Sequence, residues 1–280
     1  MELITPNEIE RAVPEAKALA GHRFLIKYGG AAMEDEGTKE LVCSEVASLR
    51  ALGLELVVVH GGGKEISRLL ERLGLESRFI DGLRVTSPEV MVATEMVLSG
   101  SVNSDLVSRI TRCGAPALGL SGRDARLLQA RKLLSKRGED LGRTGEVAQS
   151  DPSVVLAALA AGFVPVISPV GEDAEGSALN LNADYAAGAL AGAVKAESCV
   201  FLTDVAGVKR DGAVMPHLNR KEVAILIDTE VITGGMIPKV ECALRALDAG
   251  CPRAVITHAS KRLAITEALV GSAQSGTVID

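Results

Sequence analysis

Short apolar runs alternate with helical patterns along almost the whole chain, and this alternation constrains the fold more than any other feature. The runs are rich in valine, isoleucine and leucine on both faces, which is typical of parallel strands that helices cover on both sides. Strands that alternate with helices predict an α/β fold, a three-layer sandwich around a mostly parallel central sheet. The candidate strands are residues 23–28, 54–60, 115–120, 163–170, 199–204 and 253–257.

The segments between these runs carry helix and turn signals. Residues 66, 69, 70 and 73 form an apolar stripe at helical spacing. Thr86 and Glu89 match a capping box at the start of another helix. The polar stretch 132–150 is a candidate hairpin, with Gly138 and Gly142 as turn residues.

Linker signals are weak, so we expect both halves of the chain to share one continuous sheet. The acidic turn at residues 171–177 marks the boundary between two predicted lobes. We predict a helical extension over residues 1–20, an N-terminal lobe over 21–177 and a C-terminal lobe over 178–280. In the extension, Ile9, Val13 and Ala16 fall at helical spacing after Asn7 as a cap, and Pro14 is expected to kink the segment.

The composition excludes several classes of protein. With 47% hydrophobic and 24% charged residues, the chain can bury a core and is neither disordered nor collagen-like. The net charge of −6 and the scarcity of aromatic residues argue against a nucleic-acid partner. Such binding needs basic side chains to neutralise phosphates and rings on which bases stack.

Sequence signals also bear on location and metal content. The first residues carry acids where a signal peptide is basic, and no apolar run reaches the roughly 20 residues that span a bilayer. The five cysteines form no CxxC pair, and the four histidines show no ligand spacing. We therefore expect a cytoplasmic protein with reduced thiols, no membrane partner and no protein-held metal.

Two glycine motifs close predicted strands, where open α/β sheets bind ligands. Lys27 is followed by Gly29 and Gly30, and His60 is followed by three glycines that open a helix. Glycines let backbone N–H groups approach an anion closely. A Gly-Gly pair is equally compatible with an ordinary turn. Three successive glycines cost much backbone entropy, which favours a functional loop, although the spacing fits neither a Walker A nor a GxGxxG motif.

Four further polar positions stand at strand ends or helix starts. Arg84 could clamp a carboxylate with its planar fork, or be a surface arginine. The Asn180-Leu181-Asn182-Ala183-Asp184 run exceeds what a helix cap requires, although capping alone would explain part of it. Asp204 precedes a glycine turn, and Lys239 lies one turn into a helix beside an apolar run. Each of these has an ordinary structural explanation when taken alone.

Together these positions point to phosphoryl transfer. Two lysines, an arginine and two glycine loops at one sheet edge can neutralise the charge spread over phosphoryl oxygens. No serine, cysteine or histidine motif indicates nucleophilic catalysis, and GxSxG is absent. The acceptor must therefore bring its own nucleophile.

Six motifs, in order and spacing, resemble those of the acetylglutamate kinases, which are members of the amino-acid kinase family. They are KYGG, VVVHGGG, DGLRVT, LNADYAAGAL, LTDVAGV and GGMIPKVECAL, and the resemblance covers residues 20–280. It implies an N-terminal lobe that binds N-acetyl-L-glutamate and dimerises, and a C-terminal lobe that binds ATP. The implied reaction phosphorylates the side-chain carboxylate, the second step of arginine synthesis through acetylated intermediates.

The resemblance also implies a role for each matching residue. Lys27 and Lys239 would stabilise the transferring phosphoryl group, and Asp184 would organise both lysines. Gly30 and Gly62 would donate backbone N–H groups to the phosphoryl group and its neighbours, with Gly63 beside them, and Gly29 would also lie on the phosphate side. The acceptor-binding residues would be Gly62 and Gly63, with Arg84 on the α-carboxylate and Asn180 on the acetylated end. The nucleotide-binding residues would be Asp204, Val205, Ala206, Gly207, Val208, Lys209, Val231, Ile232 and Thr233.

The implied cofactor is ATP with Mg²⁺ carried on its phosphates, since the sequence offers no carboxylate cluster to hold the metal. No general base is needed, because a glutamate side chain with a reference pKa near 4.3 is already ionised at neutral pH. The resemblance implies a homodimer. A hexamer assembled through the N-terminal helix is the alternative assembly.

Two other functions stay open. One is a kinase of an acetylated or carrier-bound aminoadipate in lysine synthesis. The DGLRVT motif favours acetylglutamate over this substrate, because the lysine-pathway relatives have a different sequence at that motif. The other is a non-catalytic amino-acid-sensing subunit, against which the joint presence of Lys27, Asp184 and Lys239 argues.

We expect arginine to inhibit the chain weakly or not at all. Arginine-sensitive members of the family share a motif near the C-terminus in which an acidic residue is followed by G-x-G-T. The corresponding residues 270–277 of this chain contain no Asp or Glu. A guanidinium held away from water needs a carboxylate partner. The nearest acids in sequence are Glu267 and Asp280. Titration of arginine into a kinase assay checks this, and half-inhibition below 1 mM, on the order of a metabolite concentration, would contradict it.

Overall fold

Strands and helices alternate along the computed structural model, which describes residues 2–272 and 276–280. No helix in this described part is long and apolar enough to cross a membrane. The helices are α1 (Pro6–Ala12), α2 (Glu36–Ala51), α3 (Gly63–Arg72), α4 (Pro88–Glu95), α5 (Asn103–Arg112), α6 (Ser153–Ala160), α7 (Ala183–Ala193), α8 (Arg220–Asp228), α9 (Met236–Asp248) and α10 (Ala264–Val270). Short 3-10 turns cover Pro14–Leu19, Gly30–Met33 and Asp124–Arg126, and a π-helix covers Met96–Val102.

The strands vary in length from two to eleven residues. They are β1 (Arg23–Tyr28), β2 (Glu55–His60), β3 (Phe79–Ile80), β4 (Leu83–Arg84), β5 (Ala117–Ser121), β6 (Leu128–Leu134), β7 (Asp140–Ser150), β8 (Val164–Ser168), β9 (Val170–Glu172), β10 (Ala178–Leu181), β11 (Ser198–Thr203), β12 (Lys209–Arg210), β13 (Ala213–Val214), β14 (His217–Leu218), β15 (Ala254–His258) and β16 (Thr277–Ile279).

Within the described residues, eight strands form the central sheet in the order β14-β16-β15-β11-β1-β2-β8-β5. All neighbours are parallel except β15 and β16, so the predicted fold class is confirmed. Strand β11 pairs with β1 from Phe24↔Ser198 to Tyr28↔Leu202. The sheet therefore continues across the predicted boundary at residue 177, as expected, and the division into lobes stays a prediction.

One predicted strand is in fact two. The run 163–170 divides into β8 and β9 around Pro169, which lacks the N–H group that a continuous ladder requires. Strand β9 joins a closed four-stranded sheet with β10, β7 and β6. In the β6–β7 hairpin Gly138 lies in the turn, whereas Gly142 lies inside β7, where a Cβ would come 2.3 Å from the Thr86 carbonyl oxygen. The other strand ends fall within two residues of the prediction.

Helices cover both faces of the sheet and complete the three layers. Phe24 and Ile26 of β1 lie in the hydrophobic cluster on the side of α1–α5 and α10, whereas Leu25 lies in the cluster on the side of α6–α9. Both clusters are buried, which explains why the strands read as continuous apolar runs. Four thiols are buried, those of Cys43, Cys199, Cys242 and Cys251, and all five cysteines are free.

The N-terminal segment packs on its own chain. Thr5, rather than the predicted Asn7, caps α1 by accepting a hydrogen bond from the Glu8 N–H. The helix ends at Ala12, because the following Val13 precedes a proline and leaves the helical conformation, with φ of −138° and ψ of 72°. Ile9 is fully buried, and Glu8 forms a two-pronged ion pair with Arg262 at 2.6 Å for each contact.

Two glycines of α7 allow it to approach α9 closely. A Cβ at Gly188 would lie 3.2 Å from the Ala246 Cα atom, and a Cβ at Gly192 would lie only 1.8 Å from the Ala249 carbonyl oxygen. The obstacle at Gly192 is backbone, which cannot rotate away as a side chain can. The spacing between the two helices therefore depends on these glycines.

We expect Gly192→Ala to lower the free energy of unfolding by about 1–3 kcal/mol, the usual cost of overpacking. Gly100→Ala is the matched control, because a Cβ at Gly100 meets nothing within 4 Å. Denaturant unfolding of both variants measures the difference. Equal stability of the two would contradict the close approach at Gly192.

Candidate active site

Three adjacent strands of the central sheet end beside one another. Strand β1 lies between β2 and β11 and pairs with both. Lys27 lies on β1, His60 ends β2, and Asp204 directly follows β11. Because parallel strands end at the same edge, the motifs that follow them meet there. Three neighbouring pockets open at this edge, and they contain all the residues that the sequence predicts for the site.

The central pocket, here called the two-lysine pocket, has a volume of about 280 Å³. Its predicted lining residues are Lys27, Gly29, Gly30, Asp184, Asp204 and Lys239. Lys27 is 8% exposed, and its Nζ atom lies 2.8 Å from Asp184 Oδ1. The pocket therefore presents two ammonium groups that are each held by a carboxylate.

The pairing of the lysines differs from the prediction. Asp184 was expected to organise both, but Lys239 Nζ lies 3.3 Å from Asp204 Oδ1 instead. Burial raises the pKa of Asp204, but the Lys239 ammonium, a backbone hydrogen bond and His258 together hold the pKa below its ordinary value. The reason for the difference is the position of α9, whose first turn lies over the end of β11, and each lysine thus has its own acid.

Helix starts hold the charged groups of this pocket. Asn182 caps α7 by accepting hydrogen bonds from the N–H groups of Asp184 and Tyr185 at 2.8 and 3.2 Å. Asp184 thus lies in the first turn, where the helix dipole stabilises a carboxylate. Lys239 is the fourth residue of α9.

The glycines after β1 are required by close contacts and by backbone conformation. A Cβ at Gly29 would come 2.9 Å from Lys27 Nζ and would displace the ammonium group. Gly30 has φ of +71°, in the left-handed region that glycine enters without strain. The sequence pattern KYGG therefore keeps space open around Lys27.

The second pocket, here called the Arg84 pocket, contains the four predicted acceptor-binding residues. Gly62, Gly63, Arg84 and Asn180 all line it, and its volume is about 170 Å³. Leu98 of the π-helix also lines it, and a Cβ at Gly62 would lie 2.6 Å from Leu98 Cδ2. The glycine loop and the π-helix are therefore in direct contact.

Arg84 is a buried cation, and the described part of the chain gives it no acidic partner. It is 5% exposed, and no Asp or Glu in the described ranges lies within ion-pair distance of it. One terminal nitrogen donates to the Gly63 carbonyl at 2.8 Å and to Ser67 Oγ at 3.0 Å, and the other donates to Ser77 Oγ. Burial lowers the pKa of the guanidinium, which still stays protonated at neutral pH. A desolvated cation that lies over the Phe79 ring, and that no carboxylate of the described residues neutralises, is a candidate site for an anion.

A hydroxyl network holds Asn180 at the edge of the Arg84 pocket. Asn180 Nδ2 donates to Thr86 Oγ1 at 3.1 Å, and Thr86 Oγ1 lies 3.0 Å from both the Arg84 carbonyl oxygen and Thr144 Oγ1. Thr86 is fully buried in this network. It does not cap α4, so the predicted capping box at Thr86 is wrong. Ser87 caps that helix by accepting a hydrogen bond from the N–H group of Val90.

The third pocket, here called the Lys209 pocket, collects the predicted nucleotide-binding stretches. Its volume is about 460 Å³, and Met236 and His258 complete its lining. The predicted residues in it are Asp204, Val205, Ala206, Gly207, Val208, Lys209, Val231, Ile232 and Thr233. Two stretches that are far apart in sequence thus form one cavity after β11.

The three pockets form a row. Asn182 lines both the Arg84 pocket and the two-lysine pocket, and Asp204 lines both the two-lysine pocket and the Lys209 pocket. Across residues 2–272 and 276–280, no group of three or more His, Cys, Asp and Glu side chains could hold a metal. A row with an anion site, two cations and a larger cavity can bind two substrates end to end.

Several lining residues were not predicted. His258 ends β15, so the strand-end rule could have found it. Asn182 lies within a predicted motif, but its contact with two pockets is not visible in sequence. Thr144 and Leu98 carry no sequence signal, because a hairpin and a π-helix bring them to the site from distant segments.

The chain has close sequence relatives. The model of the amino acid kinase family matches residues 22–258. An acetylglutamate kinase from Pelotomaculum thermopropionicum is 46% identical over 251 residues, which cover 85% of each chain. An acetylglutamate kinase from Synechococcus is 42% identical and covers 98% of this chain and 97% of the relative.

A solved structure shares the fold. An N-acetylglutamate synthase from Neisseria gonorrhoeae, solved with coenzyme A and N-acetyl-glutamate, superposes with a TM-score of 0.83 at 24% identity. The match covers 97% of this chain and 62% of that longer chain. The family match, the identities and the fold agree with the motifs at the sheet edge, and the chain belongs to the amino acid kinase family, among the acetylglutamate kinases.

Proposed function

We propose that the chain catalyses ATP-dependent phosphorylation of the side-chain carboxylate of N-acetyl-L-glutamate, giving N-acetyl-L-glutamyl 5-phosphate. This is the second step of arginine synthesis through acetylated intermediates. The observation that carries the proposal is Arg84, a buried cation that no acid of the described residues pairs with, in a pocket that shares a wall with two paired lysines.

The Arg84 pocket would bind the acceptor. Arg84 would pair with the α-carboxylate, since a guanidinium recognises a carboxylate through two parallel hydrogen bonds. The network through Thr86 orients the amide of Asn180, whose Oδ1 atom is then free to accept from the acetylated nitrogen. Gly62 and Gly63 would donate N–H groups to the side-chain carboxylate, at the start of α3.

The transfer itself would take place in the two-lysine pocket. A carboxylate oxygen of the acceptor attacks the γ-phosphorus, the bond to the β-phosphate oxygen breaks, and ADP leaves with the electron pair. Lys27 and Lys239 neutralise the charge on the phosphoryl oxygens, and Gly29 and Gly30 leave room for it. Asp184 fixes Lys27 through the 2.8 Å contact.

The Lys209 pocket would hold the nucleotide. Members of a kinase family use ATP, and its base and ribose would lie among the residues from Asp204 to Lys209 and from Val231 to Thr233. The sparse acids of the site fit a Mg²⁺ ion that arrives on the ATP phosphates, and the ion would add positive charge at those oxygens.

An ADP-release assay with four acceptors tests the proposal. We expect the highest kcat/KM with N-acetyl-L-glutamate and much lower values with N-acetylaminoadipate, glutamate and aspartate. A higher value with N-acetylaminoadipate would replace our proposal with the lysine-pathway kinase. ADP release that no acceptor stimulates would favour the sensing subunit.

We further propose a cytoplasmic homodimer. The hexamer is less well supported, because α1 packs on its own chain through Ile9 and the Glu8–Arg262 ion pair. A ring built through α1 would use only the outer face of that helix. Light scattering after size exclusion distinguishes these states.

The weak arginine response stays a prediction. Residues 273–275, which belong to the stretch without acids, lie outside the described residues. The two nearest acids already have partners, since Glu267 pairs with Lys261 and Asp280 Oδ1 lies 2.9 Å from His217 Nε2.

A further inference from the structure

His60 is a buried histidine next to the glycine loop, and the reaction assigns it no role. It is the last residue of β2, is 0% exposed, and lines none of the three pockets. Its Nδ1 atom lies 2.7 Å from the Gly61 carbonyl oxygen, and its Nε2 atom lies 3.1 Å from Asn103 Nδ2. Both ring nitrogens are therefore engaged.

The partners fix the tautomer of His60. The Gly61 carbonyl only accepts hydrogen bonds, so Nδ1 carries the proton. Asn103 Nδ2 also donates to the Val166 carbonyl at 2.9 Å, which identifies it as the amide nitrogen, so Nε2 accepts from it. The imidazole is neutral, in agreement with burial, which lowers the pKa of His60 to about 4.

The hydrogen bond from His60 sets the direction of the next N–H group. The Gly61 carbonyl and the Gly62 N–H belong to one planar trans peptide and point in opposite directions. Since the carbonyl points toward the buried His60, the N–H points away from it, on the side of the Arg84 pocket that Gly62 lines. Within the described residues, no acceptor pairs with this N–H group.

Asn103 is itself held in place. It is 4% exposed, it directly follows the π-helix, and a Cβ at Gly119 would come only 2.1 Å from its Oδ1 atom. It therefore connects His60 to β8, through Val166, and to β5. Gly61 is also held from the other side, since its N–H donates to the Tyr28 carbonyl at 2.8 Å.

We propose that His60 and Asn103 are positioning residues that orient the Gly61–Gly62 peptide, so that the Gly62 N–H donates to the reacting carboxylate or phosphoryl oxygen. The inference rests on the proposed function. It adds to that function a pair of residues that touch neither substrate but set the geometry of an N–H donor. A donor aimed at developing charge contributes to kcat more than to binding.

Two isosteric variants separate positioning from packing. The amide of His60→Asn occupies the place of Nδ1 and keeps a donor to Gly61. The amide of His60→Gln occupies the place of Nε2 and keeps the contact with Asn103 but loses that donor. We expect His60→Gln to lower kcat by roughly 10²-fold with little change in the KM for ATP, whereas His60→Asn retains kcat within about fivefold.

Equal losses in the two variants, or wild-type kcat in His60→Gln, would overturn the inference and leave His60 with a packing role only.

A second measurement needs no variant. The Gly62 amide proton of the wild-type chain should shift downfield on addition of ADP, aluminium fluoride and N-acetyl-L-glutamate, and an unchanged resonance would also overturn the inference. Failure of the proposed function is distinguishable, because the wild-type chain would then not phosphorylate N-acetyl-L-glutamate.

Discussion

Lys27→Ala and Lys239→Ala should each lower kcat by roughly 10²–10³, with a much smaller change in the KM of either substrate. Loss of one preorganised electrostatic stabiliser typically has this effect. The interaction grows as charge develops on the phosphoryl oxygens, so its loss falls on the transition state more than on the ground state. Steady-state kinetics with N-acetyl-L-glutamate and ATP measures both parameters.

Lys17→Ala is the control for these variants. Its side chain is 74% exposed, pairs with Glu10 at 3.5 Å, and lies outside the three pockets. We expect wild-type kcat from it. Near-normal turnover in Lys27→Ala or Lys239→Ala would remove that lysine from the mechanism.

Arg84→Lys should weaken N-acetyl-L-glutamate binding about 30-fold or more, which corresponds to about 2 kcal/mol, the lower end for disrupting a buried charge pair. The lysine keeps the charge but cannot make two parallel hydrogen bonds or reach both Gly63 and Ser67 as Arg84 does. The KM for N-acetyl-L-glutamate should rise, and ATP affinity should stay near the wild-type value.

Arg78→Lys is the matched control, since Arg78 is an exposed arginine of the same segment, one residue before β3. It should bind both substrates normally. If Arg84→Lys weakened ATP and N-acetyl-L-glutamate equally, the effect would be a folding defect rather than the loss of a carboxylate clamp.

Much of the fold and of the site could be predicted because local sequence encodes it. The apolar runs around Phe24, Val57 and Val200 are typical of strands that are covered on both faces, and parallel strands end at one edge. The motifs that follow them, from Gly29 to Asp204, must then meet. The helix caps were harder to predict. Thr86 and Ser87 both carry a hydroxyl that can cap α4, and only the burial of Thr86 in the structure shows that Ser87 is the cap.

Tertiary contacts decide the features that the sequence could not predict. Lys239 pairs with Asp204 rather than Asp184 because of where α9 lies, and no local pattern records that position. The π-helix changes the register of the residues before Asn103 and so brings Leu98 against Gly62. The sequence carries no recognisable signal for the π-helix or for the contact between Leu98 and Gly62.

The ladder between β1 and β11 limits how the molecule can deform. It joins a four-stranded half that leads to the Arg84 pocket to a four-stranded half that leads to the Lys209 pocket. Sliding one half along the strand direction would strain all the hydrogen bonds of this ladder together. A change of twist between the two strands preserves every bond, since neighbouring strands tolerate a range of twist angles. We therefore expect the sheet to deform most easily by rotation of one half against the other about the axis that runs across the strands, along the hydrogen bonds between β1 and β11.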